Sequence, residues 1–175
     1  MNQYAEQIRK AIEVIGTIET TVLIIVTITA IVLWARGIWP VLYRLGNGLA
    51  NRKIAIFAKG DTRSSLKSLL MDSELFREKN ICEIGGVHDL GKAEVASVYL
   101  VYWPDWAQDI EKILDMKPDK CALVVYCPHN IGKIPPDQMT NLDGKRHTSV
   151  TNFRGRLLND VVTSMITTPY SKKVN

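Results

Sequence analysis

Residues 20–35, TTVLIIVTITAIVLWA, carry no charge and are bracketed by Glu19 and Arg36. Crossing a hydrocarbon core of ~30 Å takes about 20 apolar residues, so the run alone is slightly short. Its flanks lengthen it. Ile12, Val14, Ile15, Gly16 and Ile18 extend the apolar character upstream, and beyond Arg36 the chain reads Gly-Ile-Trp-Pro-Val-Leu-Tyr before Arg44. An arginine near a helix end can lay its stem along apolar surface and its head among lipid headgroups. Trp34, Trp39 and Tyr43 gather at the same end, as in an interfacial aromatic belt. The pattern predicts one membrane-spanning helix over residues 14–38. A cleaved signal peptide would need a positive start and a small-residue cleavage site, whereas this run follows a net negative stretch and ends in Leu-Trp-Ala-Arg. A buried core helix would show a polar face, and only threonines are on offer.

Charge is distributed unevenly around that helix. Residues 1–19 have a net charge of −1, residues 36–53 carry four cations and no acid, and residues 54–175 have a net charge of +1. The basic balance of the chain therefore comes from the segment beside the membrane. No direct DNA or RNA binding is expected, since that needs a concentrated cationic face. The asymmetry follows the positive-inside rule, which predicts a single-pass protein with its N-terminus outside and everything after Arg36 in the cytoplasm. Cys82, Cys121 and Cys127 lie in or beside apolar runs, as reduced, buried thiols would. No CxxC occurs, and His88, His129 and His147 have no metal-ligand spacing. No metal site is expected.

Residues 1–13, with Tyr4, Ile8, Ala11 and Ile12 at helical spacing, read as an amphipathic segment that continues toward Ile15. Pro40 and the Gly46/Gly48 pair read as breaks, giving a basic interfacial connector over 39–51. From Arg52 short apolar runs alternate with helical stretches. Strands are expected at 53–58, 80–84, 97–102, 120–126 and 148–153. Helices are expected at 64–76, 105–116 and 156–167, with a short helix or turn at 90–96 and mostly loop over 128–143. The fourth strand is the most continuously apolar and so is expected to be central. This alternation implies βαβ units: an α/β domain over 52–168 with a five-stranded, doubly wound, mostly parallel sheet of Rossmann-like or flavodoxin-like class. Residues 169–175 read as a frayed basic tail.

Ligands of open α/β sheets bind at the carboxyl ends of the strands. Strand one ends in Lys59, Gly60, Asp61, Thr62, Arg63, Ser64 and Ser65, and strand five in Asn152, Phe153, Arg154, Gly155 and Arg156. Both lead into helices, both combine glycine with cations and polar side chains, and free N–H groups at a helix start bind anions. Asn130, past the end of strand four, belongs to the same edge. Facing one crevice, the two loops would suit a ligand with several phosphates. The competing reading is that Asp61, Thr62 and Ser64 are ordinary helix caps. No GxGxxG follows strand one and no GxSxG is present. The acidic companions of a receiver domain are missing, and Glu94 is the one weak candidate for the catalytic glutamate that NAD-cleaving TIR domains use. No catalytic set is assigned and no enzyme is expected. In the anchor, Glu13, Thr20 and Thr27 recur every seven residues. In an oligomer they would line a hydrated path, unless the threonines bond their own backbone or glue helices together.

One spanning helix, a basic connector and a small sheet domain with phosphate-suited loops at 59–65 and 152–156 resemble the membrane effectors of bacterial antiviral systems. The similarity is to the CRISPR-associated proteins that join a transmembrane helix to a CARF domain. That resemblance implies a cyclic oligonucleotide second messenger as ligand, a homo-oligomer, no cofactor, and action on the bacterial inner membrane. The alternative is a membrane-tethered, TIR-like or receiver-like interaction domain without a small ligand, using Trp103, Trp106 and the 128–143 loop as its contact surface. An enzyme acting on nucleotides is a third reading. On either of the first two, the full-length chain sediments with membranes, resists alkaline carbonate washing and needs detergent to dissolve. Recovery in the soluble fraction would remove the anchor from the argument.

Overall fold

The computed structural model describes residues 2–169, which divide into two units, the first ending at Arg44 and the second beginning at Leu45. One α-helix, α1 (Asn2–Asn51), runs through the whole N-terminal region. Its stretch Gly16–Tyr43 has 28 residues, none buried. At ~1.5 Å per residue this is ~42 Å long, so it is long and apolar enough to cross a membrane. The connector expected over 39–51 is helical instead. Pro40 sits inside the helix, where it lacks the N–H that would reach the carbonyl of residue 36. Long apolar helices tolerate such a proline. Four threonine hydroxyls in this stretch donate back to their own helix, Thr20 to the Gly16 carbonyl and Thr27 to that of Leu23, each at 2.8 Å, with Thr21 and Thr29 doing likewise. The side chains of Tyr4, Ile8, Ala11, Ile12, Glu13 and Ile15, which carry the expected amphipathic face and the start of the polar line, lie outside what the structure describes. So do residues 170–175 of the expected tail.

In the second unit five strands form one parallel sheet: β1 (Ile54–Phe57), β2 (Ile81–Ile84), β3 (Val98–Tyr102), β4 (Ala122–Tyr126) and β5 (Thr148–Thr151). Their order is β2-β1-β3-β4-β5, the flavodoxin-like arrangement within the expected class. Ile54 pairs with Val98, and Tyr102 with Tyr126. Every residue of β1, β3 and β4 is buried, as strands covered on both faces must be. β4 is flanked on both sides, but the middle position belongs to β3.

Alternation along the strands feeds two cores. Ile56, Leu100 and Val124 face α2 (Gly60–Asp72) and α6 (Arg154–Thr167), whose Leu66, Leu70, Leu157 and Val161 are fully buried. Phe57, Tyr99 and Leu123 face the other side. There the cover is a 3-10 segment (Val87–Val95), a single turn α3 (Trp103–Trp106), α4 (Ile110–Met116) and α5 (Pro136–Asp143). Helix α5 occupies half of what the sequence reads as loop. Pro136 at its first position pre-sets the helical φ, and Leu142 anchors it in the core with no exposure. Phe57 meets Trp106 edge-on at 5.4 Å. Trp103 and Trp106 are therefore core residues, 5% and 1% exposed, which removes them from any contact surface.

The junction between α1 and β1 is held by two buried polar side chains. Asn80 donates from Nδ2 to the carbonyls of Ala50 and Arg52, both at 2.9 Å, and accepts the Arg77 N–H through Oδ1. Arg52, 5% exposed, gives its guanidinium to the last turn of α6: to the carbonyls of Met165 and Thr168 and to the Thr168 hydroxyl. A helix leaves its last four carbonyls without intrahelical donors, and Arg52 supplies donors there.

All three cysteines are free. Burial pushes the Cys121 thiol up to about 12 and raises that of Cys127 as well, while Cys82 is half-buried. The thiolate is the reactive species. Iodoacetamide at pH 8 should therefore alkylate Cys82 first in the detergent-solubilised protein. Cys121 should react roughly tenfold or more slowly until the chain is denatured, as peptide mapping would read. Equal labelling of Cys121 and Cys82 in the folded protein would contradict the packing described.

Candidate functional site

A cleft of about 390 Å³ opens at the carboxyl edge of the sheet. From α2 come Asp61, Thr62 and Ser65. The last residues of β3 and β4, Tyr102 and Tyr126, also line it, their rings 5.8 Å apart and tilted. The segment after β4 adds Pro128, Asn130 and Ile131, and the start of α6 adds Arg154. It sits on the face that carries α2 and α6, with the N-termini of both helices at its edge.

Neither helix start is capped by a side chain. The N-cap of α2 is Lys59 and that of α6 is Phe153, and neither makes a side-chain cap hydrogen bond. Both fall outside the Ser/Thr/Asp/Asn set that normally satisfies the first N–H groups. Asp61, Thr62 and Ser64 lie inside α2, because the helix begins at Gly60, four residues before the expected start. The capping explanation for these residues therefore does not hold. Each helix directs unbonded N–H groups and the positive end of its dipole outward, the ordinary basis of anion binding.

The helix starts where it does because of contacts distant in sequence. The Lys59 N–H donates to Asp105 Oδ2 at 2.7 Å, across 46 residues, which pins the end of β1 to the turn after β3. This is the place where the strand order reverses, the usual position of a ligand crevice. Here the Asp105 contact closes its α3 side and the open cleft lies on the other face. Gly60 then turns the chain with φ +50°.

Of the eleven residues singled out from the sequence, the fold brings Asp61, Thr62, Ser65, Asn130 and Arg154 together. Arg154 donates from one guanidinium nitrogen to both the carbonyl (3.0 Å) and the hydroxyl (2.8 Å) of Ser65, tying the starts of α6 and α2 together. Lys59 lies over the Trp106 ring at 5.8 Å. Arg63 points away, its Nε 3.2 Å from Glu83 of β2, with its guanidinium so close to Gly85 that a Cβ there would stand 2.6 Å from it. Ser64, Asn152 and Arg156 are exposed and outside the lining. Glu94 is exposed on the 3-10 segment and does not line the cleft either.

Tyr102, Tyr126, Pro128 and Ile131 are lining residues that motif reasoning misses. A tyrosine as the last residue of two adjacent strands is the signal that was available. Burial raises the Tyr102 phenol above its ordinary value, with a further push from the Asp105 carboxylate, and a hydrogen bond with Thr62 opposes the rise. The floor is thus aromatic. The charge facing the cleft is Arg154 on one side and Asp61 on the other. Among the described residues no cluster of His, Cys, Asp or Glu could hold a metal ion. Compared with protein-family models, with curated proteins and with solved structures, the chain finds no match in any of the three.

Gly60 offers a direct check on how the cleft is built. Nothing lies within 4 Å of a Cβ added there, so the cost of a side chain is confined to the backbone. Gly60→Ala should destabilise the domain by about 1 kcal/mol through the left-handed conformation alone, read as a lower thermal midpoint in detergent. An unchanged midpoint would mean that the α2 start is not held as described.

Proposed function

We propose that the protein is a non-enzymatic membrane effector: its sheet domain receives a phosphate-rich second messenger in the α2/α6 cleft, and α1 is the element that acts on the bilayer. The observation that carries this reading is the pair of helix N-termini without side-chain caps at the edge of one cleft, with Arg154 beside them. An anion there would accept backbone N–H groups and a charge-assisted bond from Arg154, stronger than the neutral bonds to Ser65 that it replaces. The Tyr102–Tyr126 floor suits a ligand with flat apolar parts between its phosphates, as a cyclic oligonucleotide has. The architecture's resemblance to CRISPR-associated transmembrane CARF proteins supports bacterial antiviral defence as the setting. The charge asymmetry about α1 supports an outside N-terminus and a cytoplasmic sheet domain at the inner membrane. Burial of Trp103 and Trp106 takes support from the rival reading of a ligand-free interaction domain.

Membrane damage would come from helix association. The hydroxyls of Thr20 and Thr27 donate to their own backbone, the competing reading of that line, so the threonines lend no support to a polar pore lining. Titration calorimetry of the full-length protein in detergent, with a panel of cyclic oligonucleotides and with pyrophosphate, tests the central point. Binding of at least one is expected, and Arg154→Ala should weaken it about tenfold or more, since a bond to a charged group is worth roughly 1.5–3 kcal/mol. No binding across the panel, or binding indifferent to Arg154, would overturn the proposal.

A further inference from the structure

The cleft and the end of α1 lie on opposite edges of the sheet. The chain enters the sheet at the amino end of β1 through Arg52, whereas the cleft sits past the carboxyl ends of β3 and β4. Strands of four or five residues separate the two edges by ~15 Å at ~3.3 Å per residue. Helix α6, with 14 residues, is ~21 Å long and reaches both.

At each end α6 is fastened by an arginine. At the cleft its first residue, Arg154, holds Ser65 of α2. At the far end its last carbonyls are held by Arg52, whose own carbonyl is gripped by Asn80, and Asn80 also holds Ala50 in the last turn of α1. Between them the helix rests on the sheet through Leu157, Val161 and Met165, an apolar contact without directional bonds along its length. The first fastening is exposed and the second buried. Only the first is within reach of a ligand.

We infer that α6 is a strut whose position is set by Arg154 at the cleft and read by Arg52 at the root of α1. The inference rests on the anion-cleft reading and adds its route of regulation. An anion in the cleft competes with the Ser65 carbonyl and hydroxyl for the Arg154 guanidinium, and an ionised acceptor wins over neutral ones. Removing that tie frees the start of α6 from α2 and lets the helix move against the sheet. The last turn of α6 cannot move without moving the Arg52 guanidinium. Arg52 and Ala50 share Asn80, so the displacement arrives at the final turn of α1.

Hydrogen exchange on the full-length protein in lipid nanodiscs tests the strut without any ligand. Arg154→Ala should raise amide exchange roughly threefold or more in peptides covering 164–168 and 49–54. Asn159→Ala, at an exposed position in the middle of α6, should leave 49–54 unchanged. A response confined to 154–158 would overturn the inference. With pyrophosphate added, the wild-type protein should show the same distant change. Arg52→Lys, which cannot reach the Met165 and Thr168 carbonyls together, should bind pyrophosphate with unchanged affinity and show no response at 49–54. Thr168→Val, a milder change at the same contact, should reduce that response. Pyrophosphate bound with no change at 49–54 in the wild type would defeat the strut and spare the cleft. No binding at all would defeat the cleft reading, while the Arg154→Ala exchange pattern would still decide the strut.

Discussion

A parallel sheet cannot leave a face in water when its strands are apolar on both sides, and this constraint generates most of what the domain does. β1, β3 and β4 have no polar face to offer, so helices must cover both sides. Each covering helix has to return to the amino edge before the next strand, so its N-terminus is delivered to the carboxyl edge. Two of those N-termini, α2 and α6, arrive on the same face with no side chain to cap them. The cleft is thus a by-product of covering the sheet, given chemical character by Arg154 and the tyrosine floor.

Much of this was legible in the sequence, and the reasons are local. The five apolar runs marked the strands to within a residue or two because β-rich, buried segments announce themselves by composition. Their alternation with helical spacing gave the parallel class. The α6 start was nearly readable, since Asn152, Gly155 and the two arginines interrupt an apolar pattern. What was not legible depended on distant partners. The α2 start is fixed by Asp105, whose carboxylate reaches the Lys59 N–H from α3, the turn after β3, and no local signal could supply it. Arg63 and Arg154 look equivalent in the sequence, yet Arg154 is the first residue of its helix and Arg63 the fourth of its own, which sends one into the cleft and the other to Glu83. Helix α5 hid behind Pro135-Pro136, a pair that reads as a loop until the second proline is recognised as a helix start.

The anchor shows the opposite balance. Its apolar run was plain, but its length was underestimated because Pro40 and the two glycines are costly in helices surrounded by water. A helix that keeps its apolar surface outward over 28 residues is under different rules, and its continuity to Asn51 brings it into hydrogen-bonding contact with Asn80. That contact makes the junction a short, specified joint.

The tryptophans divide evenly between the two units. Trp34 and Trp39 stand with more than two thirds of their surface open on α1, while Trp103 and Trp106 are sealed beneath the sheet. Their emission will differ accordingly: an indole buried against Phe57 is shielded from an added quencher, and one on the outside of an apolar helix is open to it. The chain therefore has a built-in optical label for each unit, and the surroundings of the apolar helix can be followed separately from the integrity of the sheet without adding a dye.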